Sequence, residues 1–151
     1  MSAKKERVPI VVDTNVFVRN FLSRNRTSAN KKVIRLWLLE KKLQLIVSNE
    51  IINEYLEIFE EILGFNKELV DKWRSRLEKD PRTTLVNLVK SKIKSRDPDD
   101  NMLLQTALAG KVQYLVTNDK DLLEIPLSEQ RKLAFVIVRP DQFLNRLEEQ
   151  S

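Results

Sequence analysis

Val8-Pro9-Ile10-Val11-Val12-Asp13-Thr14-Asn15 decides how this chain is read. Its first five residues are almost continuously apolar, as suits a strand covered on both faces; a strand with one wet face would alternate. Asp13 then breaks the run. In open α/β sheets, ligands bind beyond the carboxyl ends of the strands, so an acid at this point stands where chemistry is done. Tyr114-Leu115-Val116-Thr117-Asn118-Asp119 repeats the logic: a short apolar run, then hydroxyl, amide and carboxylate side chains. As turn residues these would be ordinary. Their repetition at two strand ends makes them candidates for a shared site.

Outward from Asp13 the pattern alternates. Residues 15 to 23 and 29 to 42 read as helices, the second with Val33, Leu36, Trp37 and Leu39 apolar and Ser28 as its cap. Leu43 to Val47 is a second strand, and Ser48 caps a helix that runs to about Leu63 and stops at Gly64. A helix over 67 to 79 ends before Asp80-Pro81, Thr83 to Val89 is strand-like, and residues 98 to 109 form a helix ended by Gly110. Gln113 to Thr117, a short helix from Lys120, a fifth strand over Ala134 to Val138 and a last helix from Pro140 complete the series. Strands alternating with helices predict an α/β fold: a central, mostly parallel sheet of about five strands flanked by helices in three layers. Both glycines are spent as helix stops, so there is no Gly-rich phosphate loop.

The chain has 151 residues, consistent with one domain, and its apolar content suffices for a core. It contains no cysteine and no histidine. Thiolate and imidazole ligands, cysteine nucleophiles and His-based triads are thereby excluded, leaving carboxylates as metal ligands and favouring hard ions such as Mg²⁺ or Mn²⁺. The apolar run before Asp13 is too short for a signal-peptide core, and none approaches the roughly 18 residues of a membrane span, so a cytoplasmic protein without a membrane partner is expected.

The net charge of +5 is unevenly spread. Residues 1 to 48 hold 11 Lys or Arg against three acids, and residues 49 to 151 hold 16 against 19. Residues 1 to 7 read as a basic tail ahead of a domain over 8 to 148. Lys90, Lys92, Lys94 and Arg96 occupy alternate positions just before Asp97. An extended backbone would place all four on one face, as a track for phosphates or as a solvated edge guarded against aggregation.

Among 22 acids, four are singled out. Asp13 and Asp119 stand at strand ends. On the helix after Ser48 the apolar residues cover an arc of roughly 160°, with Glu54 and Glu60 at its margins. Glu54 is nearer the preceding strand end by about 9 Å along the axis. In Asp97-Pro98-Asp99-Asp100, Pro98 suits a first helical position, which makes Asp97 a cap. Asp100 differs, because it continues the stripe of Leu103, Leu104 and Ala107. A carboxylate on a buried stripe needs a partner, and four gathered acids would repel one another unless a cation joined them.

Val11-Val12-Asp13-Thr14-Asn15-Val16, Ser48-x-Glu50-x3-Glu54, Asp97-Pro98-Asp99-Asp100-Asn101 and Tyr114-Leu115-Val116-Thr117-x-Asp119-x-Asp121-Leu122, in that order, resemble the PIN domain family. The resemblance is greatest to the bacterial and archaeal toxin components of toxin–antitoxin pairs, and extends from about Val8 to Phe143. It implies a PIN-like fold whose Asp13, Glu54, Asp100 and Asp119 bind Mg²⁺ or Mn²⁺, with Asn15, Thr117, Asp97 and Asp121 in support. It further implies a ribonuclease that cuts RNA to leave a 5′-phosphate, and, as in many such toxins, a homodimer neutralised by a protein antitoxin. The acid-rich run leaves open which of Asp97, Asp99 and Asp100 contacts metal. Two other readings of the residues are a catalytically silent RNA- or partner-binding module and an α/β phosphotransfer domain. For an aspartate-nucleophile phosphatase, a second acid should stand where this chain has Asn15.

Overall fold

The computed structural model describes residues 6–150, apart from the side chain of Asp99. Most of the basic tail, residues 1–5, and the expectation for Asp99 lie outside that description. Five strands, β1 (Val8–Val12), β2 (Leu43–Val47), β3 (Thr83–Leu85), β4 (Tyr114–Val116) and β5 (Val136–Val138), form one sheet in the order β3-β2-β1-β4-β5. Every neighbouring pair is parallel. The helices are α1 (Thr14–Leu22), α2 (Ala29–Leu38), α3 (Asn49–Glu61), α4 (Lys67–Lys79), α5 (Asn101–Ala109), α6 (Lys120–Leu123), α7 (Leu127–Gln130) and α8 (Pro140–Glu149). The α/β architecture expected from the sequence is therefore present, with α7 as an addition.

The strand order carries a functional consequence. From β1 the chain winds outward to β2 and β3, then returns past β1 to β4 and β5. Right-handed crossovers place α5 on the face opposite α1 to α4, while α8 returns to pack on α2, and a crevice opens where the winding reverses, between the ends of β1 and β4. Asp13 and Thr117 sit on the two lips of that crevice. Below α1 to α4 lies an aromatic cluster in which the Phe17 ring centre is 4.8 Å from Tyr55, 5.7 Å from Phe59 and 6.0 Å from Trp37, all edge-to-face. On the returning half, α5 packs on β1, β2 and β4.

Four local expectations change. The strand expected to Val89 stops at Leu85, because its partner β2 ends opposite it at Val47 and β3 is an edge with no other neighbour. Helix α2 ends at Leu38 rather than near residue 42; Lys41 takes a positive φ of 55°, and Leu39, expected on the apolar face, is 72% exposed. The helix expected from residue 98 opens as a 3-10 turn, Pro98–Asp100, and becomes α-helical only at Asn101. Both glycines end their helices as expected, Gly64 with a positive φ of 68°, but Gly110 caps α5 at φ −85° and Lys111 makes the left-handed turn there instead. Gly110 answers to space: a Cβ there would lie 2.3 Å from Cγ2 of Ile46 on β2.

Candidate metal centre at the carboxyl ends of the strands

Asp13 follows β1 directly, and its amide donates to the Val116 carbonyl at 2.9 Å, carrying the β1–β4 ladder one residue further. The side chain is only 7% exposed. Its Oδ2 accepts from the Thr117 hydroxyl at 2.6 Å and from Asn15 Nδ2 at 3.2 Å. Burial raises the Asp13 pKa, the Thr117 hydrogen bond opposes the rise, and the charge of Asp119 adds to it. Thr117 is a hinge between two acids, since its hydroxyl also accepts from the Asp119 amide at 2.9 Å. Asp119 in turn caps α6, accepting from the Asp121 amide at 2.9 Å. The supporting positions Asn15 and Thr117 thus orient Asp13 directly.

Asp100 arrives from the other direction. The stripe seen in the sequence is real: Leu103, Leu104 and Ala107 are buried, and Asp100 is 7% exposed at its head. The Ser95 hydroxyl donates to Asp100 Oδ2 at 3.3 Å, and the Ser95 amide is fixed by Asn101 Oδ1 at 2.9 Å. Burial, then a hydrogen bond with Asp119 and the charges of Asp119, Asp13 and Asp97, push the Asp100 carboxyl up to about 8. Its surroundings therefore disfavour the ionised form of this acid. Asp100, rather than the expected Asp97, is also the N-cap of α5, but its side chain makes no capping bond.

Asp97, Asp100, Asp119 and Asp121 each bring a carboxylate oxygen within 4.8 Å of the others. This set shares Asp100 and Asp119 with the quartet expected from the sequence and adds Asp97 and Asp121, expected there as supporting residues. Asp13 adjoins it through Thr117 and through the charges it exchanges with Asp119 and Asp100. Glu54 stands further back. It is half-buried on α3, whereas Glu60, at the other margin of the arc, is exposed. The Thr14 hydroxyl donates to Glu54 Oε2 at 2.9 Å, which ties Glu54 to the residue after Asp13. Helix α3 itself begins where Ser48 Oγ accepts from the Ile51 amide. Nearly two turns into it, the buried Tyr55 hydroxyl donates to the Val12 carbonyl; burial, then Asp13 and Glu54, raise its pKa well above the ordinary tyrosine value.

The donor set is oxygen throughout, suited to a hard divalent cation. The buried Asp13 and Asp100, each pushed up by burial and by the charge of Asp119, fit such an ion, which would supply positive charge among them. Of the basic row, Lys90, Lys92, Lys94 and Arg96 are exposed, and Ser91, Ile93 and Ser95 between them are buried. The alternation expected of an extended segment holds although no ladder forms there. Arg96 is the exception within the row, paired with Asp121 at 3.0 Å and Glu124 at 2.7 Å.

The sequence model of the PIN domain matches residues 9–121, which span every acid of this site. The chain belongs to the PIN domain family. Among solved structures of similar fold, VapBC2 from Rickettsia felis bound to a DNA fragment from its promoter aligns at TM-score 0.50 and 15% identity, over 87% of this chain and 98% of that one. FitAB bound to the IR36 DNA fragment aligns at TM-score 0.49 and 15% identity, over 87% and 94%. At that identity the likeness concerns the fold. No curated protein matches the sequence.

Several site residues of this PIN domain escaped the sequence reading. Thr14 and Asn118 were visible as polar residues at strand ends but had no assigned role. Asn118 Nδ2 donates to Asn15 Oδ1 at 3.3 Å and to Asn30 Oδ1 at 2.9 Å, bracing the Asn15 amide that serves Asp13. Nothing local to Asn30, at the start of α2, signals that contact. Ser95 lay in the expected alternation, yet only the fold reveals that its buried hydroxyl meets Asp100.

Proposed function

We propose that this PIN domain is a Mg²⁺- or Mn²⁺-dependent endoribonuclease that hydrolyses phosphodiester bonds of RNA. The observation that carries the reading is Asp100: a buried carboxyl gathered with Asp97, Asp119 and Asp121 and beside Asp13, at the crevice where α/β sheets bind ligands. Asp100 and Asp119 would hold the ion with Asp13, Asp97 and Asp121 around them, and Glu54 would act from behind Thr14. A divalent ion in such a site supplies Lewis acidity towards a phosphate and activates water as the nucleophile.

The chain's own residues do the rest. Thr117 and Asn15 hold Asp13 in one orientation, and Ser95 does the same for Asp100, so little reorganisation is left for the reaction. Lys90, Lys92 and Lys94 offset the repulsion that an acidic crevice exerts on a polyanion and give its backbone a place to lie. The family resemblance extends the proposal: a cytoplasmic, homodimeric toxin whose partner is a protein antitoxin that covers the acidic crevice. The VapBC2 assembly of similar fold motivates the search for that partner.

The test incubates the purified protein with single-stranded RNA in Mg²⁺, Mn²⁺ or EDTA, beside Asp13→Asn and Asp100→Asn variants. Metal-dependent cleavage by the parent and loss of about 100-fold or more in either variant is the expected result. Equal cleavage by all three proteins would identify a contaminant and defeat the reading. Intact RNA with tight binding would favour the silent module.

A further inference from the structure

Arg96 stands where two demands meet. Its Nη2 donates to Glu124 Oε2 at 2.7 Å and lies 3.0 Å from Asp121 Oδ1. Asp121 belongs to the acid group of the crevice; Glu124, which closes α6, lies outside that group. Arg96 is therefore a cation resident at the rim of the site. It ends the exposed basic row, and the backbone that carries it is fastened on its inner side by buried residues. Ser91 Oγ donates to the Ile93 carbonyl at 2.7 Å, and the Ser95 amide to Asn101 at 2.9 Å. The anchor is fixed while the guanidinium is free to exchange partners.

The energetics favour such an exchange. The side chains of Arg96, Asp121 and Glu124 are 66%, 40% and 57% exposed, and ion pairs this open to water are weak. A phosphate offers a guanidinium two parallel charge-assisted hydrogen bonds, a better match than one oxygen from each of two carboxylates. Surrender of Asp121 would restore a bare charge beside the acids, so Glu124 is the partner that can be lost.

We propose that Glu124 is an internal competitor for Arg96: in the free protein its carboxylate occupies the guanidinium, and a phosphate of bound RNA displaces it while Asp121 stays paired. The inference rests on the RNA reading above and adds a gate to it. Lys90, Lys92 and Lys94 provide unconditional attraction, whereas Arg96 engages only a backbone that reaches the rim of the crevice.

A double-mutant cycle tests this, measured as anisotropy of a fluorescein-labelled single-stranded RNA in Ca²⁺ at fixed salt, with a gel confirming that the RNA stays whole. Glu124→Gln is expected to tighten binding about fivefold, the equivalent of one weak ion pair. Arg96→Gln is expected to weaken it, and Glu124→Gln is expected to add nothing in the Arg96→Gln background. A structural staple between the two segments would produce no such coupling. Equal gains from Glu124→Gln in both backgrounds would reduce the effect to loss of a negative charge and overturn the proposal, as would parental affinity in Arg96→Gln. Failure of the parent to bind RNA would sink the RNA reading and this inference together, an outcome separable from the others by the parent's curve alone.

Discussion

The aromatic cluster under α1 to α4 and the acidic crevice above β1 and β4 lie within one small sheet, yet they obey opposite rules. In the cluster every contact favours the folded state: Phe17, Trp37, Tyr55, Phe59 and Trp73 bury large surfaces, and Phe17 meets the other four edge-to-face. In the crevice burial works against the residues it encloses, and Asp100 is pushed to about 8 by burial and by neighbours of its own sign. Stability concentrated in one region is what allows charge to be assembled in the other. Tyr55 belongs to both, with its ring in the cluster and its hydroxyl on the Val12 carbonyl immediately before Asp13.

The largest effect should come from breaking the cluster. Phe59 is fully buried and touches Phe17, Phe21, Tyr55, Phe65 and Trp73. Phe59→Ala should cost about 3–5 kcal/mol, seen as a lower urea midpoint at unchanged slope. A loss below about 1 kcal/mol would mean that the rings are not the seat of stability. Tyr55→Phe is smaller and sharper. It keeps the ring and removes the bond to Val12, so about 1 kcal/mol should be lost. Metal affinity should fall with it as the end of β1 loosens; unchanged affinity would show that the two regions are independent.

How much of this was legible beforehand differs between the same two regions. The strands announced themselves because parallel strands covered on both faces must be apolar along nearly all their length, as Val8 to Val12 and, apart from Gln44, Leu43 to Val47 are. Asp100 was legible through its helical stripe. The crevice as an assembly was legible only through the family resemblance, because Asp97 and Arg96 meet Asp121 across elements remote in the chain and a surface charge carries no periodic signal of its partner. The alternation of Lys90 to Arg96 predicted their exposure and could not predict that Arg96 alone would be claimed by Asp121 and Glu124. Leu39 misled for a related reason: helical spacing placed it on the apolar face, but α2 ends one residue before it.

The central claim is that the acids of the crevice are gathered for a cation and are costly without one. The pH dependence follows in sign. The Asp100 pKa in the folded protein, about 8, exceeds its ordinary 3.8, so the stability held by its proton is fully present below about pH 4 and is lost as pH rises through 8. Melting temperature, recorded with and without Mn²⁺ between pH 5 and 9 for the parent and Asp100→Asn, tests this most directly. In EDTA the parent should become less stable towards pH 9 and Asp100→Asn should melt higher with a flatter profile, while Mn²⁺ should raise the parent and leave the variant unmoved. A parent indifferent to Mn²⁺, together with an Asp100→Asn variant that melts lower in EDTA, would contradict the account.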